Sequence, residues 1–338
     1  MSTFAVDEPA AVDLLPDRRR LAARLALVAG VLAALTFAVT SLPGLDEVRA
    51  RLSDAAPGWL VAAALLQIVS CLAFVAAFRG VFCHRMPWRL SYEVGMAAQG
   101  TNVLLPSGGA GGLALAAWAL RKTGMPTERL ARRTVAFYVL TSSVNFFTAV
   151  IAGVALALTG GALLWTAGPA AAAAVVIGGV LLLPRLAGRP RSGRAGNVLT
   201  ALSDGIRDAV RLARAGHPLI LAGAIGFMAF DLLALGAAFV ALDAAPTFGV
   251  LALAYVVGQL GGLIPLPGGV GGADGGLIAA LALYGTPLGT AAAAVLAYRA
   301  FQLGLPALLG ALALVRLPDV LERAPDVGAL CERRTVAA

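Results

Sequence analysis

Six separate runs of apolar residues, each about 20 residues or longer, recur along this chain: about 21–43, 57–80, 133–158, 162–183, 218–242 and 289–315. A bilayer core of about 30 Å takes roughly 20 apolar residues to cross as a helix, so every run is long enough to span. Two further apolar stretches, about 92–120 and 249–285, are interrupted near the middle by Pro and Gly. Composition points the same way. Of 338 residues, 59% are apolar and 13% charged, with a mean hydropathy of +0.86, against about 45–50% and 25% in an ordinary soluble domain. A soluble enzyme and a disordered chain are both excluded. The expected fold is an all-α polytopic membrane protein with six full spans and two re-entrant or broken helical hairpins. The first run follows Arg18-Arg19-Arg20 and resembles a signal peptide, with Ala38 as a conceivable cleavage position. Its core is too long for a secretory h-region and more spans follow, so it reads as a retained helix.

Basic residues mark the cytoplasmic loops. Arg18, Arg19, Arg20 and Arg24 put the N-terminus inside, while Asp46, Glu47 and Asp54 offset Arg49 and Arg51 in an external loop. Arg79, Arg85 and Arg89 return the chain inside, as do Arg121, Lys122, Arg129, Arg132 and Arg133. The first interrupted stretch therefore enters and leaves on the cytoplasmic side. The loop 185–216, with seven arginines from Arg185 to Arg214, is inside; the second interrupted stretch has uncharged or acidic flanks and enters from outside. The net charge of +8, from 26 Lys and Arg against 18 Asp and Glu, thus reads as membrane topology and not as a nucleic-acid patch. Both termini are expected in the cytoplasm, as tails 1–20 and 319–338 around a single membrane domain, 21–318.

The two interrupted stretches resemble each other. Leu104-Leu-Pro-Ser-Gly-Gly-Ala-Gly-Gly112 matches Leu263-Ile-Pro-Leu-Pro-Gly-Gly-Val-Gly-Gly272 with one residue inserted. An offset of 160 links Gly108–Gly112 to Gly268–Gly272, Gln99 to Gln259, Tyr138 to Tyr298, and Arg51-Leu52 to Arg211-Leu212. Pro57 and Pro218 match within one residue, as do Gly124/Pro126 and Gly285/Pro287. A unit of amphipathic segment, helix, broken hairpin and helix therefore occurs twice, at about 45–158 and 205–316. Helix 162–183 and the basic loop 185–216 link the two. The charge pattern gives the units opposite orientation, an inverted repeat of the kind transporters use to place a substrate at the repeat interface. A shared glycine-rich bend with coincidental spacing is the competing account.

Chemistry-bearing residues are few. Charges within spans are costly and mark function; Asp231, Asp274 and Arg299 stand out, all in the second unit. Asp274 and Arg299 are expected to approach each other and line a substrate cavity, or else to pair only structurally. Asp231 has no obvious sequence partner and reads as a group that joins helices or relays ions. The first unit offers neutral groups: Gln67, Gln99, Asn102, Ser142, Ser143 and Asn145. Each glycine cluster opens a short helix, about 111–121 and 273–284, whose N-terminal N–H groups suit an anion such as a lipid phosphate. Close packing of two hairpin tips through Gly109 and Gly269 explains the same glycines. No Lys-Ser or Lys-Thr follows either cluster, which excludes a phosphate-binding NTPase loop. The three cysteines, Cys71, Cys83 and Cys331, and the two histidines, His84 and His217, show no spacing for a zinc site, a redox pair or a disulfide framework. The 185–216 loop includes an amphipathic stretch suited to the anionic inner leaflet or to a solvated loop.

Together these residues resemble the flippase-type transmembrane region of bacterial lysylphosphatidylglycerol synthases and its stand-alone relatives. The match rests on Asn102-Val-Leu-Leu-Pro-Ser-Gly-Gly-Ala-Gly-Gly112, on Arg132-Arg133 with Tyr138, on Ile264-Pro-Leu-Pro-Gly-Gly-Val-Gly-Gly-Ala-Asp274, and on Tyr298-Arg299. It covers about residues 20–318. Many members carry an acid at the positions of Asp274 and Gly112; this chain keeps the first and lacks the second. The resemblance implies movement of polar lipids, aminoacylated phosphatidylglycerol above all, between leaflets of the inner membrane. About 20 residues follow Arg316, so no synthase domain is expected, and any lipid modification falls to a separate enzyme. Asp274, Arg299, Asn102, Gln99, Gln259, Gly109, Gly269, Tyr138 and Tyr298 are the expected substrate-binding residues. Neither a cofactor nor a metal is expected, and no catalytic set is present. Two alternatives stay open: an ion-coupled transporter of a small polar solute or lipid-linked sugar, and a non-transporting membrane partner of a lipid- or glycan-modifying enzyme.

Overall fold

A computed structural model describes residue 26 and residues 46–104, 110–159, 163–186, 194–261 and 272–332. Among them are twelve helices and no strands: α1 (Asp46–Ser53), α2 (Pro57–Cys83), α3 (Trp88–Leu104), α4 (Ala110–Lys122), α5 (Thr127–Leu158), α6 (Leu163–Leu186), α7 (Arg194–Arg214), α8 (Pro218–Ala241), α9 (Phe248–Gly261), α10 (Gly272–Leu283), α11 (Leu288–Glu322) and α12 (Val327–Glu332). Five are long and apolar enough to cross a bilayer: Pro57–Cys83, Thr127–Leu158, Thr166–Arg185, Pro218–Ala241 and Leu288–Glu322. They account for five of the six expected spans. The sixth, 21–43, lies outside the described residues apart from residue 26, and Gly109 and Gly269 lie outside them too. The protein is an all-α, multi-pass membrane protein.

The interrupted stretches form pairs of short helices, α3 with α4 and α9 with α10. What ends the second arm of each pair is the same device. Gly124 has φ +85° and Gly285 has φ +88°, a region that favours glycine. Gly124 N bonds Arg121 O at 3.0 Å and Met125 N bonds Leu120 O at 3.2 Å; Gly285 N bonds Ala282 O and Thr286 N bonds Leu281 O, both at 3.0 Å. This double closure satisfies the last carbonyls of each helix. Pro126 and Pro287 then lead into α5 and α11 with extended backbone. Pro57 and Pro218 open α2 and α8 in the first turn, where a missing N–H costs nothing.

Helices α2 and α8 run antiparallel along their whole contact. Gly80 faces Ile220, Gly223 faces Ala77, Gly226 faces Ala73, and the Ser70 hydroxyl donates to Phe227 O at 2.7 Å. Small residues at these points let the backbones approach. A Cβ on Gly223 would sit 2.8 Å from Ala77 Cα. The short arm α3 packs on α11, where Gly100 meets Gly310, while α9 packs on α5, where Gly249 meets Leu156. Two apolar cores result. One gathers Phe78, Phe82, Met96, Leu120 and Phe137 around α3 and α4; the other gathers Leu235, Phe239, Leu253, Leu281 and Tyr298 around α9 and α10.

The amphipathic stretch of the basic loop is the helix α7. It turns Ser203, Ile206 and Ala209 inward and packs on α5, with Gly205 against Val135, while Val198 and Leu202 stay exposed. Arg207 pairs with Asp204 at 2.9 Å and also reaches Pro184 O at 3.0 Å.

One sequence expectation is corrected. Cys83 and Cys331, 248 residues apart, are joined by a disulfide with a Cα–Cα distance of 6.0 Å. The bond ties the end of α2 to α12, whose Val327 N donates to Thr123 O at 2.8 Å. Spacing could not reveal the pair, because only the docking of α12 on the α4–α5 turn brings the two cysteines together. His84 and His217 likewise meet, with ring centroids 5.7 Å apart, where the C-terminal end of α2 passes the start of α8.

Candidate functional site

A buried polar cluster forms where α2, α8, α9, α10 and α11 converge. Helix α8 is apolar apart from Asp231, which is only 5% exposed. Tyr255 on α9 donates its hydroxyl to Asp231 Oδ2 at 2.5 Å, and Tyr298 on α11 donates to the same oxygen at 2.8 Å. Gln67 on α2 lies within hydrogen-bonding reach of Asp231, and Gln259 within reach of Tyr255. Helical spacing explains the set. Tyr255 and Gln259 are four residues apart and share a face of α9, as residues i and i+4 do. Tyr298 and Gln302 stand likewise on α11.

Asp274, in the first turn of α10, forms an ion pair with Arg299, and Arg299 also donates to Gln302 Oε1. Both side chains of the pair are mostly covered, at 20% and 11% exposure for Asp274 and Arg299. Unpaired charge is costly at membrane depth, which explains why acid and base arrive together. Close packing of α9 on α10 sets the geometry. A Cβ on Gly258 would meet Leu277 Cβ at 2.8 Å, so no larger residue fits there without displacement. A narrow cleft lined by Tyr255, Gln259, Tyr298, Arg299 and Gln302 opens beside the cluster. Its volume of about 10 Å³ for water centres is about that of a single water.

The structure thus brings together four of the expected residues: Gln259, Asp274, Tyr298 and Arg299. Of the others, Gly109 and Gly269 lie outside the described residues, and Asn102, Gln99 and Tyr138 fall elsewhere. Asn102 accepts a hydrogen bond from Gly112 N at 2.8 Å and braces α3 against α4, so one N–H of the first short helix is already engaged. Gln99 is buried on α3, and its Nε2 has no hydrogen-bond partner among the described residues. Tyr138, the counterpart of Tyr298, is 41% exposed. It lines an apolar groove of about 600 Å³ between α4 and α5 that also carries Trp118, Thr134 and Arg121. Sequence reasoning singled out Asp231 without its partners and passed over Tyr255 and Gln302. The i, i+4 spacing of Tyr255 to Gln259, and of Tyr298 to Gln302, was the available signal. Among the described residues, no group of three or more His, Cys, Asp or Glu side chains is placed to hold a metal ion.

No curated protein matches the chain. Residues 21–310 do match the family described as the lysylphosphatidylglycerol synthase TM region. That span takes in both broken hairpins, the Asp231 cluster and the apolar groove, and covers well over half of the chain. The protein belongs to the lysylphosphatidylglycerol synthase transmembrane-region family.

Proposed function

We propose that the protein moves a polar phospholipid, aminoacylated phosphatidylglycerol in the first instance, between the leaflets of the bacterial inner membrane, without altering it chemically and without a cofactor. The observation that carries this reading is the polar cluster where α8, α9, α10 and α11 meet: Asp231, Asp274 and Arg299 with two tyrosines and three glutamines. Ionisable groups at membrane depth mark pathways for polar cargo. A headgroup suits the Arg299 region, while acyl chains suit an apolar groove such as that between α4 and α5, where Arg121 adds a cation for the phosphate.

An inverted repeat fits the packing. The equivalent helices α2 and α8 run antiparallel, and the short arm of each unit packs on the long helix of the other, α3 on α11 and α9 on α5. A twofold axis in the membrane plane would produce this crossed arrangement. With six spans and the basic segments inside, both termini face the cytoplasm. The lipid-modifying step belongs to a separate enzyme.

The test is a leaflet-resolved assay in vesicles reconstituted with the full chain, using fluorescent phosphatidylglycerol and lysylphosphatidylglycerol. Faster equilibration than in protein-free vesicles supports the reading, and its absence overturns it. The small cleft favours a second reading, an ion-coupled transporter of a small polar solute, because it admits about one water rather than a headgroup. Solute uptake without lipid movement would select it.

A further inference from the structure

Among the described residues, two buried acceptor atoms at the centre of the site lack a donor: Asp231 Oδ1 and Gln67 Oε1. Their residues are 5% and 3% exposed, and the side chains lie within reach of each other across the α2–α8 contact. Both tyrosine hydroxyls meanwhile donate to the other oxygen, Oδ2. That division suits a neutral carboxyl group, whose carbonyl oxygen accepts while its hydroxyl donates. A proton on Oδ1 would give that oxygen a hydrogen to donate, with the amide oxygen of the neighbouring Gln67 side chain as a candidate acceptor.

The charge balance agrees. The groups facing Asp231 are Cys71 and Gln67 from α2, Tyr255 from α9, and Tyr298 and Arg299 from α11; Arg299 is already paired with Asp274 from α10. Asp274 and Arg299 cancel. An ionised Asp231 therefore leaves one net negative charge among these groups, buried where solvation is poor. A proton removes it.

We propose that Asp231 is a proton-exchanging site whose loading is coupled to passage of the phospholipid headgroup, an inference that rests on the transport reading above. The proton comes from water in the cleft beside Tyr255 and Tyr298 and returns to water; only the O–H bond at Oδ1 forms and breaks. Loaded, the cluster is neutral and closed through Gln67. Unloaded, the carboxylate competes with Asp274 for Arg299, so proton occupancy and the guanidinium that meets the lipid phosphate are linked.

The first test is infrared difference spectroscopy of the purified full chain titrated from mildly acidic to mildly alkaline pH. A carboxylic-acid C=O band should titrate, vanish in Asp231→Asn and shift in Gln67→Leu, which removes its acceptor. Asn keeps the side-chain shape and can donate to Gln67 Oε1, so that variant should fold; an unchanged thermal midpoint verifies this. The second test measures movement of fluorescent phosphatidylglycerol in proteoliposomes with and without an imposed pH gradient. The wild type should respond to the gradient and Asp231→Asn should lose the response. Absence of any band assigned to Asp231 overturns the proposal, as does wild-type lipid movement indifferent to the gradient. A wild type that moves no lipid at all refutes the transport reading instead, and the infrared band still decides whether Asp231 exchanges a proton.

Discussion

The hydroxyl of Tyr298 donates to Asp231 across 67 residues of sequence, from the long helix α11 to the span α8. Its counterpart in the first unit, Tyr138, stands 41% exposed on α5 and lines the groove against α4. The position matching Asp231 in that unit is Cys71, which carries no carboxylate. The two units repeat a sequence pattern, but the ionisable residues of the buried cluster, Asp231, Asp274 and Arg299, all lie in the second, with Gln67 contributed by the first.

Removing either tyrosine hydroxyl takes one donor from a buried acceptor. Tyr298→Phe and Tyr255→Phe should each lower stability by about 1–3 kcal/mol. The double variant should depart from additivity, since both hydroxyls serve one oxygen. Thermal unfolding of the detergent-solubilised protein measures all three. Additive losses would show that the two bonds are independent.

The Asp274–Arg299 pair separates a structural role from a transport role. If the pair only supports the fold, Asp274→Asn and Arg299→Gln should each cost up to about 3 kcal/mol, and the double variant should recover part of the loss. If it meets the lipid headgroup, the single variants should insert normally yet lose lipid movement, and the double variant should not regain it. Stability and leaflet-resolved assays on the same preparations distinguish these outcomes. Wild-type lipid movement in both single variants would remove the pair from the pathway.

Gly100 and Gly310 hold α3 against α11 backbone to backbone; a Cβ on Gly100 would sit 2.7 Å from Gly310 Cα. Gly100→Val or Gly310→Val should therefore cost about 1–3 kcal/mol or more through forced separation of the helices. Gly178→Ala on α6, where a Cβ meets nothing within 4 Å, should be neutral or slightly stabilising. Melting temperatures of the three variants measure the contrast, and a tolerated Gly310→Val would refute the close crossing.

Orientation is open to direct labelling. In a cysteine-free background, Glu128→Cys in the first turn of α5 should react only with a permeant maleimide. Leu288→Cys, the matching position on α11, should react with an impermeant one from outside. Labelling of both positions from the same side would contradict the inverted repeat.

The Cys83–Cys331 bond lies at the basic end of α2, near Arg79 and Arg85. The proposed orientation puts that end in the cytoplasm, where thiols are normally reduced. In native membranes the pair should therefore alkylate without prior reduction, whereas air-oxidised purified protein should require it. Mass spectrometry after quenching distinguishes the two states. A fully oxidised pair in cells would count against the orientation. Cys331→Ser should make α12 more accessible to limited proteolysis, since backbone bonds to Thr123 then hold it without the cross-link.

Much of this fold was legible in the chain because membrane helices announce themselves locally. Length and apolarity alone located the five spans found among the described residues, and the Gly-Pro pairs at Gly124/Pro126 and Gly285/Pro287, read as a repeat, turn out to mark the ends of both short helices. The approach of Asp274 to Arg299 was also legible, because a short hairpin returning along one neighbouring helix constrains both residues to similar depth. What the sequence could not supply were contacts between elements far apart in the chain. Asp231 acquires partners only because α9 and α11 deliver Tyr255 and Tyr298 to the same carboxylate oxygen, and Gln67 reaches it only through the antiparallel packing of α2 on α8. Cys331 meets Cys83 only because α12 docks on the α4–α5 turn. Such long-range meetings depend on small-residue crossings such as Gly223 on Ala77 and Gly100 on Gly310, whose partners no local pattern specifies. Hydrophobic length and turn chemistry act within a segment and are written there, whereas the site depends on which backbones approach closely enough to pair their side chains.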